Sequence, residues 1–118
     1  MTLGDIAKIG TFILDIHKNL LGKDEKLVDA VVAIQRAISE TRKQIQSNGY
    51  QPNAEIRDHW FEAYKLCQKA RKYNRMLYDK ARFWDNPQKW LKEPGSLELI
   101  PSLRQLEDDC EALLVTIR

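Results

Sequence analysis

Residues 54–85 read AEIRDHWFEAYKLCQKARKYNRMLYDKARFWD, a stretch with no glycine and no proline. Its apolar and small side chains fall at Ile56, Trp60, Ala63, Cys67, Ala70, Leu77, Ala81 and Trp84, with Asn74 continuing the same series. Steps of three and four place all of these on one side of an α-helix. The spacing therefore predicts one helix over 54–85. At 1.5 Å per residue it would be about 45 Å long, so it must bend or project beyond its neighbours. Asn53 after Pro52 is its cap, and Glu55 and Asp58 suit the positive end of its dipole. An Asn mid-stripe costs stability but fixes register, which gives Asn74 a structural role.

Working outward, three more stripes share this period. They are Ile6-Ile9-Ile13-Ile16-Leu20, Leu27-Val31-Ile34-Ile38-Thr41-Ile45 and Leu99-Leu103-Leu106-Cys110-Leu113-Ile117. The first helix is expected over 4–21, opened by Thr2 and Asp5 and closed by Gly22. Asp24 caps the second, which ends at Asn48-Gly49. A short turn is expected from Pro87 through Trp90 and Leu91. The last helix begins at Ser96 or near Pro101, and both starts fit. Short connections make successive helices antiparallel neighbours. The fold expected is all-α: one domain over 1–118, an antiparallel up-down-up-down four-helix bundle with a long third helix.

The net charge of +2 is unevenly spread. Residues 53–93 hold ten Lys and Arg against six Asp and Glu, whereas 94–118 hold two against five. The third and fourth helices are thus expected to be neighbours with complementary faces. No window approaches the ~18 apolar residues of a membrane span. The start of the chain lacks a basic region before its apolar run, against a secretory signal. Cys67 and Cys110 lie on helical stripes, as free core thiols in a reducing, cytoplasmic setting.

Reactive chemistry is hard to find in the pattern. No Asp, Glu, His or Lys falls on any stripe. The inward Glu and Glu-x-x-His pairs of a carboxylate-bridged di-iron bundle are missing. His17, His59, Cys67 and Cys110 lack zinc-site spacing, and both histidines read as boundary residues. No glycine-rich phosphate loop and no nucleophile–base motif occur. The expectation is a chain without catalytic residues, cofactor, metal or small-molecule substrate.

Binding remains, in three forms. Phe83, Trp84, Trp90 and Leu91 gather aromatics at a helix end, beside Trp60, as candidate anchors for a protein partner or a second copy; the alternative is that they cap the core. Lys65, Lys69, Lys72 and Arg75, at steps of four, three and three, share one face of the 54–85 helix with Tyr64, Tyr73 and Tyr78 interleaved. Such a face is either solvated or a nucleic-acid contact, and the near-neutral chain favours the former. The first helix has a broad apolar arc that includes Phe12 and Leu21. It packs in the core, or leaves it for a membrane or a partner groove.

The residues Ala33 to Thr41 with Gln44-Ile45, Trp60 with Ala63, and Phe83-Trp84-Asp85-Asn86-Pro87 with Trp90 resemble a pattern in small, largely uncharacterised bacterial helical-bundle proteins. That resemblance implies a bacterial bundle and supplies no catalytic residues. In layout, an amphipathic first helix before a basic bundle is similar to HeLo-type signalling bundles, including those of mixed-lineage-kinase-like proteins. This second resemblance implies oligomerisation or membrane damage. The expected function is a non-enzymatic interaction module, or adaptor, working by protein–protein binding or self-association.

Overall fold

A computed structural model describes residues 3–18, 24–72, 74–87 and 99–117. They form five helices and no strand: α1 Leu3–Lys18, α2 Glu25–Asn48, α3 Ala54–Lys69, α4 Arg75–Asp85 and α5 Leu99–Ile117. The caps follow the local chemistry. Asp24 Oδ1 accepts from the backbone N–H of Lys26 at 2.9 Å and of Leu27 at 3.3 Å, and Asn53 Oδ1 accepts from Ile56 N–H at 3.0 Å, each quieting orphan donors of a first turn. Gly49 closes α2 at φ 65°, a left-handed angle that a side chain resists. The expected extension of the first helix to 21 and its Thr2 start lie outside the described residues.

The expected single helix over 54–85 is instead a helical hairpin. Its first arm stops in a Schellman turn: Arg71 N–H donates to Gln68 O at 3.0 Å, and Lys72 N–H to Cys67 O at 2.8 Å. Arg71 takes the left-handed position at φ 58° that glycine usually fills. Asn74 is not a mid-stripe register residue. It is the N-cap of α4, its Oδ1 accepting from Met76 N–H at 2.8 Å. The arms run antiparallel, since Asn53 N–H at the start of α3 donates to Trp84 O near the end of α4 at 3.0 Å. Arg57 and Asp85 pair beside it at 2.9 Å.

Folding the hairpin back rearranges the neighbours. The helices form a ring in the order α2, α3, α4, α1, α5 and back to α2. Among the described residues α1 does not pack on α2, its successor in sequence, but on α5 and lightly on α4. Gly10 permits that approach: a Cβ there would stand 3.3 Å from Leu106 Cδ2. The acidic last helix does not neighbour the basic hairpin either. α5 packs on α2 and α1, where Glu107 takes a two-pronged contact from Arg42 and Glu111 accepts from Gln35 Nε2 at 3.2 Å. The described part of the last helix opens on Leu99 and Ile100, both buried, and includes Pro101; the expected Ser96 start lies outside the described residues.

The stripes meet in one core. Ile6, Ile9, Ile13 and Ile16 of α1 join the α2 series, Trp60 and Cys67 of α3, Leu77 and Trp84 of α4, and the α5 series. Buried Thr41 has a partner: Trp60 Nε1 donates to its hydroxyl at 2.9 Å. Cys67 and Cys110 are free and buried, and desolvation pushes both thiols up to about 12. Two outcomes follow. At pH 8 a chromogenic thiol reagent should modify the folded protein at least a hundredfold more slowly than the unfolded chain, because the thiolate is the nucleophile. In alkali, the unfolded chain releases these protons from about pH 9 while the folded chain keeps them. Stability is therefore full below that value and falls as pH rises toward 12, by up to roughly 1.4 kcal/mol per pH unit for each thiol. Urea midpoints measured at pH 8, 9, 10 and 11 test the slope.

Candidate interaction surface

α3 and α4 lie side by side, so residues far apart in the chain become neighbours on the hairpin's outer face. Phe61 and Tyr64 come from α3, one turn apart, and Tyr78 comes from α4. The Phe61 and Tyr78 ring centroids are 5.6 Å apart, and those of Tyr64 and Tyr78 are 5.4 Å apart in an edge-on arrangement. These are favourable aromatic geometries. Phe61 remains 36% exposed. The Arg75 guanidinium lies 4.4 Å from the Tyr78 centroid, a cation–π contact, and also meets Asp79 at 3.3 Å. Gln68 Nε2 donates to the Tyr64 hydroxyl at 3.1 Å. The cluster is thus held by its own contacts, and its orientation is set before any partner arrives.

Cations frame it. Lys65 and Lys69 stand on the last turns of α3, where the dipole favours positive charge. Lys65 meets Glu62 at 3.5 Å. Arg71 and Lys72 belong to the turn, and Arg75 opens α4. The start of α4 has no acidic residue in its first turn, although the positive end of a helix favours one. Lys69, Arg71 and Lys72 have no ion pair among the described residues.

The expected sites fare unequally. Lys65, Lys69, Lys72 and Arg75 do gather, but not as one face of one helix. The turn divides them between α3, the connection and α4, so the straight basic stripe does not exist. Phe83 and Trp84 are 3% and 0% exposed and belong to the core, as does Trp60. Trp84 stacks on Tyr50 with centroids 5.9 Å apart and planes at 17°, and Phe83 meets the same ring edge-on. They are not available as surface anchors, because the hairpin turns that end of α4 inward against α3. Trp90, Leu91 and Tyr73 lie outside the described residues. Among the described residues the buried Tyr50 hydroxyl and Trp84 Nε1 find no hydrogen-bond partner, and desolvation raises the Tyr50 pKa. The apolar face of α1 faces the core through its isoleucines, while Leu14 is half exposed.

Phe61 went unnoticed in the sequence, where it sits off the stripe next to Trp60. Its spacing of three from Tyr64 was a signal, but Tyr78 joins only once the hairpin is known. Lys80 was missed too. It is buried, with its ammonium 2.9 Å from Asp5 of α1.

A second depression lies between α2 and α3. It measures about 350 Å³ and has Val32, Ala33 and Leu66 beneath a rim of Asp29, Arg36, His59 and Glu62. Its rim mixes acidic and basic side chains, Asp29 and Glu62 beside Arg36. No three metal-binding side chains converge among the described residues. None of the described helices is long and apolar enough to cross a membrane. Comparison of the chain with protein-family models, curated proteins and solved structures yields no match.

Proposed function

We propose that this chain is a non-enzymatic helical module that binds protein, with the outer face of the α3–α4 hairpin as its contact surface. One observation carries the reading: Phe61, Tyr64 and Tyr78 form a pre-assembled aromatic cluster at the surface, joining two helices, with the Arg75 guanidinium over the Tyr78 ring. Aromatic side chains and Arg are over-represented where binding energy concentrates, and rigid aromatics lose little entropy on docking. The interior supports the same reading. Its thiols are held protonated, and its buried ammonium is committed to an ion pair. This surface replaces the 83–91 segment as the proposed contact, because Phe83 and Trp84 are spent on the core.

The test is affinity purification of the tagged chain from its native cells, read by quantitative mass spectrometry. The wild type should retain a stoichiometric protein, which includes untagged copies of itself. The Phe61→Ala/Tyr78→Ala variant should lose at least tenfold of it, as loss of hot-spot residues implies, with its far-UV circular dichroism unchanged. Equal recovery by a folded variant would sink this surface.

A further inference from the structure

Among the described residues the charge asymmetry of the chain is not neutralised within one molecule. In the ring of helices, α2 separates α5 from α3, and α1 separates α5 from α4. The acidic helix therefore lies across the ring from the basic hairpin. On α5, Arg104, Asp108, Glu111 and Val115 follow at steps of four, three and four, all exposed, so they share one outward face that carries two carboxylates against one guanidinium. Val115 is 72% exposed, the largest value among the exposed large hydrophobic residues. Glu111 accepts from Gln35 of α2 through one carboxylate oxygen, and Asp108 has no hydrogen bond or ion pair among the described residues. A face of net negative charge with Val115 at one end thus stands opposite a hairpin whose turn carries Lys69, Arg71 and Lys72 beside an aromatic cluster. The two are opposite in net charge, and each offers an exposed apolar side chain, Val115 or Phe61.

We propose that the Asp108–Glu111–Val115 face of one copy docks on the Phe61–Tyr64–Tyr78 face of a second, its carboxylates meeting Lys69, Arg71 and Lys72. This rests on the reading of the hairpin as a protein-binding surface and names the partner as the chain itself. The contact joins two different surfaces, so it is heterologous, and repeating it builds rings or open filaments rather than a two-fold dimer. Two hairpin faces set against each other would oppose cation to cation. Because the surfaces lie on opposite sides of the ring, one copy can use both at once. Exposed ion pairs are individually weak, so the association is concentration-dependent. It is also screened by salt, since the Debye length shrinks from about 10 Å at 0.1 M to about 3 Å at 1 M.

Sedimentation velocity of the purified full chain, over a concentration series at low and high salt, tests this. At low salt the weight-average coefficient should climb with concentration, and at high salt it should fall to the monomer value. Lys69→Glu/Lys72→Glu should weaken association at least tenfold, and Asp108→Lys/Glu111→Lys should do the same. The quadruple variant carries both reversals and should regain it, which excludes misfolding as the cause of the losses. A monomer at every concentration in low salt overturns the proposal, as does a quadruple variant no better than either double. If the chain is monomeric while Phe61→Ala/Tyr78→Ala still loses a captured protein, self-docking fails and the module reading stands. If it is monomeric and binds a single-stranded oligothymidine through Lys69 and Lys72, both fail.

Discussion

Replacing Trp60 with alanine lowers the free energy of unfolding by about 3–5 kcal/mol, the range for truncating a buried aromatic. The side chain is fully buried and is the point where α3 is keyed into α2. Its loss empties a cavity that neighbouring helices cannot collapse into without moving. It also strands the Thr41 hydroxyl, whose donor is Trp60 Nε1 at 2.9 Å. Trp60→Phe separates the two losses. It keeps most of the ring and removes the donor, so it costs about 1–3 kcal/mol. Domains of this kind hold about 5–15 kcal/mol in total, so the alanine variant sits near the edge of folding. Urea unfolding followed by circular dichroism reads both. A wild-type midpoint for Trp60→Ala would contradict the burial described above.

Asp5→Ala produces the second large effect, about 3 kcal/mol, at the low end for stranding one partner of a buried pair. Lys80 is 6% exposed at its side chain and Asp5 24%. Removing the acid leaves an ammonium in the core beside the Phe83 ring, 5.5 Å from its centroid. The partial access of water at Asp5 softens the penalty. Asp5→Ala/Lys80→Met should recover most of the loss, because an apolar side chain of similar length needs no counter-charge. The double-mutant cycle thus distinguishes a desolvated charge from lost packing. Hydrogen exchange adds a spatial reading. In Asp5→Ala, protection should fall first in α1, which this pair ties to α4.

The helix ends at Asp24, Gly49 and Asn53 were legible because each is a local event. A short polar side chain, or a residue without one, serves backbone groups within a few positions. The hairpin was not. Its turn is made by Ala70, Arg71 and Lys72 without glycine or proline, and a left-handed arginine costs roughly 1–2 kcal/mol that only tertiary packing can repay. The apolar period also crosses the turn without losing phase, because Cys67 and Leu77 face the same core from opposite arms. Two clues were present. Asn74 is a strong N-cap type. A single helix over 54–85 would also outrun the 24 residues of α2.

The site was less legible for the same reason. Tyr64 and Tyr78 were visible as interleaved aromatics, but on one straight helix they are four turns apart, about 21 Å. Only the fold-back brings their rings together. Phe83 and Trp84 looked like anchors because aromatics beside a helix end look alike in sequence whether they face a partner or the molecule's own core. Lys80 escaped because its partner is near the other end of the chain.

The ring order also imposes a schedule on synthesis. α1 leaves the ribosome before the other described helices, yet its surfaces belong to α5 and α4. At about 5–20 residues per second, some 5–20 s pass on the order-of-magnitude scale before α5 exists. Through that interval α2, α3 and α4 can condense on one another as consecutive neighbours. The isoleucine face of α1 then has only its light contact with α4 to cover it. Most of the apolar face of α1 therefore waits for α5, the latest made of the described helices, to seal it.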